Sequence, residues 1–521
     1  MEDMKVTATG YDFRPAHAAM QRYVDGNLLS GFSSAVLVGR DLVDVKCIGW
    51  ADKEAQIPLR VDHIFRVFSN TKLITSCAAL LLFEEGHFQL DDPIEQFIPQ
   101  LANRRVLRSD ATSLDQTEPA VRPITIRHLM SHSSGLSYGL LDPGTLIFNA
   151  YNERKVINPA TTLAQMMDVL AGLPLVFHPG TSWEYSVATD VLARLVEVIS
   201  GERFDAFIQS RILGPLGMVD TGFVASDRNR LVAFYTGADP IDPMKPGLSR
   251  AHDAPYPGAY LRPVPRQSGG SGLVSTLPDM VALIRSLLPG GPTLLEPDTI
   301  ELMMTNQLAH GMWIRFPAYG ELQGRGHGLA GALILKPSAF DHQEARGELF
   351  WGGRAGTQWW ISPKKNTAGL VMAQREMGFA HPFATEFKRL AYEAVKELTE
   401  WPRIRCMSPV LAPLGRQEIE LRQRARRTPS ASHPLACDKI AAQLRPAVSA
   451  TEGSPVTSAA TMAPSMMSPS ECATSFGSFS PASPHSVASR SSTTFLWAIA
   501  SERMRWSALS LSATALMKGQ P

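Results

Sequence analysis

A hydroxyl and an amine stand three residues apart in the run Phe65-Arg66-Val67-Phe68-Ser69-Asn70-Thr71-Lys72. The chain continues as Leu73-Ile74-Thr75-Ser76-Cys77-Ala78-Ala79-Leu80-Leu81-Leu82-Phe83-Glu84-Glu85 and meets Gly86. This predicts a helix that opens at Ser69, is apolar nearly all round and therefore buried, and stops at its C′ glycine. Residues i and i+3 share a helix face, so Ser69 and Lys72 lie side by side. The pair suits nucleophilic catalysis, because serine attacks only when a neighbour takes its proton. A lysine in an apolar site near the positive end of a helix is driven toward its neutral form and can serve as that base. First-turn amides lack helical partners and can stabilise an oxyanion. The competing reading is a plain serine cap, since a chain this long holds about one S-x-x-K by chance.

Two other spacings resemble chemistry. His128 and His132 are i, i+4, but the glutamate of H-E-x-x-H is absent and no third ligand is evident, so no metal is expected. Gly135-Leu136-Ser137-Tyr138-Gly139 matches G-x-S-x-G. A nucleophile elbow needs a strand before its serine and a helix after it. Here a helix precedes, over Ile124 to Gly135, and a loop follows from Leu140 to Gly144.

The elements that must position Ser69 read as follows. A helix over Pro15–Leu29 precedes strands at Ser34–Gly39 and Val43–Trp50. After the S-x-x-K helix, Leu90-Asp91-Asp92-Pro93-Ile94 predicts a capped helix start. Helices follow over Thr162–Ala171, Ala188–Ser200 with a Gly201 stop, and Phe204–Ile212, with a turn-rich loop at Phe177–Val187. A Pro- and Gly-rich loop runs from about 236 to 266, then Gly269 to Thr276, then a helix with Pro278 in its first turn and Gly290-Gly291 beyond it. Strands at Gly328–Leu335, Gly347–Trp351, Thr357–Ile361 and Thr367–Ala373 suggest an antiparallel meander, and Pro382–Glu400 a final helix. Strands early and late around a helical block imply one mixed lobe built from both ends of the sequence and one inserted helical lobe, with a site between them.

The totals exclude several classes. The chain has 521 residues and a formal net charge of +1, which argues against nucleic-acid binding. No apolar run is long enough to span a membrane, and the N-terminal residues lack a signal-like apolar stretch, so a cytoplasmic setting is expected. The five cysteines are scattered, with neither disulfide nor zinc spacing. From about Thr428 the chain is rich in Ser, Ala, Thr and Pro, a composition that predicts a disordered tail over 403–521.

Three separated stretches follow one pattern: Ser69-Asn70-Thr71-Lys72 as S-x-x-K, Tyr185-Ser186-Val187 where a Y-x-N or Y-x-S element would stand, and Trp351-Gly352-Gly353 where K-T-G would stand. With His132-Ser133-Ser134-Gly135-Leu136 and Gly270 to Thr276, they resemble the serine β-lactamase and penicillin-binding-protein superfamily. The resemblance is strongest to the class C β-lactamase-like esterases, the family VIII carboxylesterases. It covers roughly Arg14 to Glu400. It implies an α/β two-lobe fold: an antiparallel sheet flanked by helices, with an inserted all-helical lobe. The catalytic domain would span 14–402, with the helical lobe at about 90–265 and the mixed lobe from 14–89 and 266–402.

The same resemblance implies catalytic Ser69, Lys72 and Tyr185, with substrate binding at Trp351, Gly352, Gly353 and Arg354. The amides of Ser69 and Arg354 would form the oxyanion hole. No cofactor or metal is implied, and the partner is a small-molecule ester. Lys72 and Tyr185 should titrate as a pair, and which of them deprotonates Ser69 stays open. Trp351 replaces the lysine that attracts a substrate carboxylate, a contact of about 1.5–3 kcal/mol. Val187 replaces an asparagine that bonds a β-lactam amide. Both changes point from β-lactams and D-Ala-D-Ala peptides toward uncharged esters, and with no lid-like amphipathic segment for lipid interfaces evident, short-chain acyl esters are expected. Arg354 is the one group placed to substitute for the lost charge. A β-lactamase or DD-peptidase, or a penicillin-binding receptor that acylates without turnover, are the alternatives.

Overall fold

The computed structural model describes residues 4–239, 242–252, 254–316 and 320–395. The 403–521 tail and the end of the helix expected over Pro382–Glu400 lie outside them. The early hairpin forms β1 (Gly31–Val38) and β2 (Asp41–Asp52), turning at Gly39 with φ +56°, and β3 (Ile57–Pro58) follows. Late in the chain come β4 (Arg325–His327), β5 (Ala332–Ile334), β6 (Leu349–Gly353), β7 (Thr357–Ser362) and β8 (Thr367–Met372). They make one eight-stranded antiparallel sheet in the order β4-β5-β6-β7-β8-β1-β2-β3. β1 sits between β8 and β2, with Ala35 opposite both Leu370 and Val45. The first strand of the sequence therefore locks the last into place.

Alternation along β1 divides the two faces of the sheet. Phe32 and Val36, with Val371, join the core under α1 (Arg14–Asp25) and α10 (Phe383–Ala394). There the Phe32 ring lies 5.9 Å from Phe383 and 5.2 Å from Phe387. Ala35 and Leu37, with Leu370, join the core that contains α2 (Thr71–Glu84). The run that reads as apolar on all sides behaves so: of the α2 residues only Leu81 and Glu84 escape full burial. At about 25 cal/mol per Å² of apolar surface, such burial is what holds the helix in place.

The segment between the two sheet halves carries α3 (Ile126–Met130), α4 (Leu146–Glu153), α5 (Leu163–Ala171), α6 (Ala188–Ser200) and α7 (Phe204–Ile208). Two short hairpins pair Arg105–Leu107 with Thr117–Pro119 and Tyr235–Gly237 with Leu248–Arg250. α6 packs on α2, and α3, α5 and α7 pack on α6. α5 starts on a Thr162–Gln165 capping box, and α6 ends at Gly201 with φ +73°. α8 (Leu277–Arg285) begins at the Thr276 cap, and α9 (Pro297–Met303) follows.

Four readings of the sequence are corrected. The helix expected at Asp91-Asp92-Pro93 is a single 3-10 turn, Ile94–Gln96, because Ile94 N–H bonds to Ile124 O and Asp92 caps the Gln89 N–H instead. The helix expected up to Gly135 stops at Met130, and His132 adopts φ +55° beyond it. The Gly328–Leu335 strand is split: Gly328 N–H bonds to Gly331 O at 2.8 Å, turning β4 into β5. The Phe204–Ile212 helix leaves α geometry after Ile208 for a π turn over Gln209–Leu213. α4 and α9 carry no reading from the sequence; each is short and follows a loop-like stretch.

Candidate active site

Ser69 lies in a 3-10 turn, Phe68–Asn70, that feeds α2, so the α-helix expected to open at Ser69 begins at Thr71. Phe68 takes φ +44°, a left-handed conformation that costs a side-chain-bearing residue of order 1–3 kcal/mol. The rings of Phe234 and Tyr260, 5.9 and 6.0 Å away, hold it there. Just upstream, Phe65–Arg66 pairs with Val274–Ser275, which lays the glycine-rich stretch 269–273 along the start of α2. Three hydrogen bonds fasten the two: Lys72 Nζ to Gly270 O at 2.7 Å, Thr75 Oγ1 to Gly269 O at 2.7 Å, and Leu273 N–H to Thr71 Oγ1 at 3.1 Å.

Lys72 is buried, and its second hydrogen bond runs to Ser69 Oγ at 3.4 Å. Tyr185, at the end of the turn-rich loop before α6, donates its hydroxyl to the same oxygen at 2.7 Å. The Lys72 Nζ lies 4.7 Å from the centre of the Tyr185 ring. Two side chains from separated stretches thus converge on the Ser69 oxygen. Trp351, on β6, places its ring 5.3 Å from that of Tyr185. β6 runs close beside the serine turn: a Cβ on Gly353 would stand 2.3 Å from Val67 O, and Thr357 Oγ1 donates to the same carbonyl at 3.1 Å. Only a glycine lets the strand come so near. Arg354 follows immediately, and its guanidinium is bound to Glu376 at 2.5 Å. That ion pair engages the group expected to stand in for the missing lysine, and the guanidinium remains 41% exposed.

Several residues at the site escaped the sequence reading. Tyr138 stacks on Tyr185 with centroids 5.6 Å apart and planes 22° apart, and burial together with Asp190 raises its hydroxyl far above the usual phenol range. Asp190 is buried in the first turn of α6 and accepts Ser268 Oγ at 2.7 Å. A Cβ on Gly270 would lie 2.7 Å from Asp190 Oδ2 and 3.4 Å from Lys72 Nζ, so the glycine separates carboxylate and amine. His132 and His327 lie 5.0 Å from the Tyr185 ring and 5.6 Å from the Trp351 ring, respectively. Single aromatic, acidic and imidazole residues carry little spacing signal; Tyr138 was visible only inside the misleading G-x-S-x-G, and His132 only in the metal-like pair and the family stretch.

Both look-alike patterns resolve. Ser137 is buried, its hydroxyl donates to the Glu184 carboxylate, and its own amide donates to Tyr151 Oη at 3.1 Å. Burial raises the Glu184 carboxyl, and the Ser137 bond partly offsets it. Ser137 therefore braces the residue before Tyr185 and has no elbow geometry. His128 closes a capping box on Thr125, while His132 lies past the end of α3 and is hydrogen-bonded to Ser186, so the two do not form a ligand pair on a helix.

Residues 17–393 match the Beta-lactamase family model. The chain belongs to that family. Among curated relatives, the lovastatin esterase of Penicillium rubens is 33% identical over 335 residues, covering 61% of this chain and 81% of that protein. Esterase EstB of Burkholderia gladioli is 31% identical over 354 residues, covering 66% and 86%. Among solved structures, EstCE1, described as a hydrolase with promiscuous acyltransferase activity, superposes with a TM-score of 0.59 at 23% identity, covering 72% of this chain and 97% of that one. The two-lobe β-lactamase-like fold is thereby shown. No helix among the described residues is long and apolar enough to cross a membrane.

Proposed function

We propose that the protein is a serine carboxylesterase that cleaves short-chain, uncharged esters through an acyl-enzyme on Ser69. The observation that carries this reading is the convergence of Tyr185 Oη at 2.7 Å and Lys72 Nζ at 3.4 Å on Ser69 Oγ. The ester-cleaving relatives support the choice of substrate class. Ser69 Oγ attacks the ester carbonyl and its proton passes to the Lys72–Tyr185 pair. The backbone N–H groups of Ser69 and Arg354 receive the oxyanion, where one such donor is worth about 10²–10³ in rate. Tyr185 returns the proton to the leaving alcohol. Water, activated by the same pair, then releases the acid.

Trp351 offers an apolar wall where a carboxylate-binding lysine would stand, and Glu376 engages the Arg354 guanidinium. Both favour a neutral substrate. The test is hydrolysis of p-nitrophenyl butyrate by wild type, Ser69→Ala and Ser137→Ala, with nitrocefin run in parallel. The expected result is loss of turnover in Ser69→Ala alone, with nitrocefin slower by 10-fold or more, as a lost charge-assisted bond of about 1.5–3 kcal/mol implies. A dead Ser137→Ala beside an active Ser69→Ala sinks the mechanism. Acylation without turnover of either substrate turns the reading to a penicillin-binding receptor.

A further inference from the structure

Lys72 also lines a cavity of about 10 Å³. It is lined by Lys72 and Ser76 of α2, Thr189 of α6, His132, His327 and Trp351, and neither Ser69 nor Tyr185 lines it. The steps above make no use of it. Its volume matches the room one water needs, and a buried water needs 2–4 polar partners. The two imidazoles supply complementary ones. His132 Nδ1 receives the Ser186 backbone N–H at 3.3 Å, so the neutral ring carries its proton on Nε2. His327 Nδ1 lies 2.7 Å from Gly328 O, which only accepts, so its proton is on Nδ1 and Nε2 is a bare acceptor. The rings stand 5.4 Å apart at 83°.

An ammonium has three N–H donors. Lys72 directs one to Gly270 O and one to Ser69 Oγ, which leaves one. The groups around it are Tyr185 and Tyr138, whose ring centres lie 4.7 and 6.0 Å away, Asp190 beyond Gly270, and the two histidines across the cavity. Burial, reinforced by the Lys72 charge, lowers His327 to about 4 and His132 well below the usual imidazole range. Near neutrality neither adds a second positive charge beside Lys72.

We propose that one water occupies this cavity, accepting the third Lys72 N–H and donating to His327 Nε2, and that His327 is thereby a positioning residue for the Lys72 ammonium. The water's remaining lone pair faces His132 Nε2–H. No proton need leave Lys72 for this role; the imidazole fixes the water, and the water fixes the amine against Ser69 and Tyr185. The kinetic part of the proposal rests on the acyl-enzyme reading, whereas the water site itself does not.

The test has two arms. The first is the pH profile of kcat/KM for p-nitrophenyl butyrate with wild type, His327→Leu and His327→Gln. A glutamine Oε1 reaches the Nε2 position and keeps an acceptor; leucine removes it. Without the acceptor the ammonium is less stabilised and gives up its proton at lower pH. His327→Leu should therefore shift the limb governed by the Lys72–Tyr185 pair down by about one pH unit, and His327→Gln should leave it in place. Equal losses of height in both variants, with no shift, would show a merely structural histidine and overturn the proposal. The second arm is a high-resolution crystal structure of wild type, in which a water within roughly 2.7–3.2 Å of both Lys72 Nζ and His327 Nε2 is expected. A dry cavity overturns it. An inactive wild type would sink the esterase reading and leave this second arm to decide the water site.

Discussion

At position 353 the absence of a side chain decides whether the strand can reach the nucleophile. A Cβ there would meet Val67 O, just before the serine turn, at 2.3 Å and Thr357 Oγ1, at the start of β7, at 2.4 Å. Gly353→Ala must push β6 away and take the Arg354 amide out of line with Ser69. The expected outcome is a kcat for p-nitrophenyl butyrate lowered by about 10²- to 10³-fold, as for the loss of one oxyanion donor. Gly352→Ala should be milder, because its Cβ would first meet the movable Gln358 Cγ at 2.9 Å. Equal, near-wild-type rates in both variants would remove β6 from the mechanism. At this scale the sequence was informative where residues come in motifs: Ser69, Lys72, Tyr185 and Trp351 do lie together. It gave no place beside Ser69 to Tyr138, Asp190, His132 or His327, because a lone ring or carboxylate is placed by tertiary packing and leaves no periodic trace.

At the scale of elements, α2 was legible because an unbroken apolar run followed by glycine admits few other readings. What fastens its first turns was not, since the glycine-rich stretch it bonds to lies 198 residues further on. Thr75 is the element's hidden anchor: its hydroxyl donates to Gly269 O at 2.7 Å, one residue before the carbonyl that holds Lys72. Thr75→Val keeps the shape and leaves that buried carbonyl without its side-chain donor, which should cost about 1–3 kcal/mol in urea unfolding. The same change frees the 269–270 backbone, so turnover should fall more than stability alone explains at a temperature where the variant is fully folded. Unchanged activity in a folded, destabilised variant would mean that Gly270 is held independently of α2. The start of the helix was misplaced by two residues for a related reason. Phe68 is forced to positive φ by its aromatic neighbours, and that local turn overrides the α-helical start that the residue types favour.

For the whole molecule, the division of the chain into sheet, helical block and sheet was readable because period-two and period-3.6 stretches are segregated along the sequence. The exact sheet order was not, because nothing local shows that β1 pairs with β8. That pairing also bounds the working unit. Ser69, Lys72, Tyr185 and β6 all lie between β1 and β8, and α10 seals the far face through Phe383 and Phe387 on Phe32 and through Tyr23 Oη on Glu386 at 2.6 Å. The family match likewise ends at residue 393. Every described element that positions the site lies before residue 396. A chain ending at Pro402 is expected to keep kcat and KM for p-nitrophenyl butyrate within about twofold, a change worth less than roughly 0.5 kcal/mol. Its Tm should stay within about 2 °C of the full chain's. The comparison separates two causes of failure. A lower Tm with activity retained when cold would mean that the segment braces α10 or the sheet. A chain with unchanged Tm and most of its activity lost would place part of the substrate-handling machinery in 403–521, because stability would then no longer account for the loss.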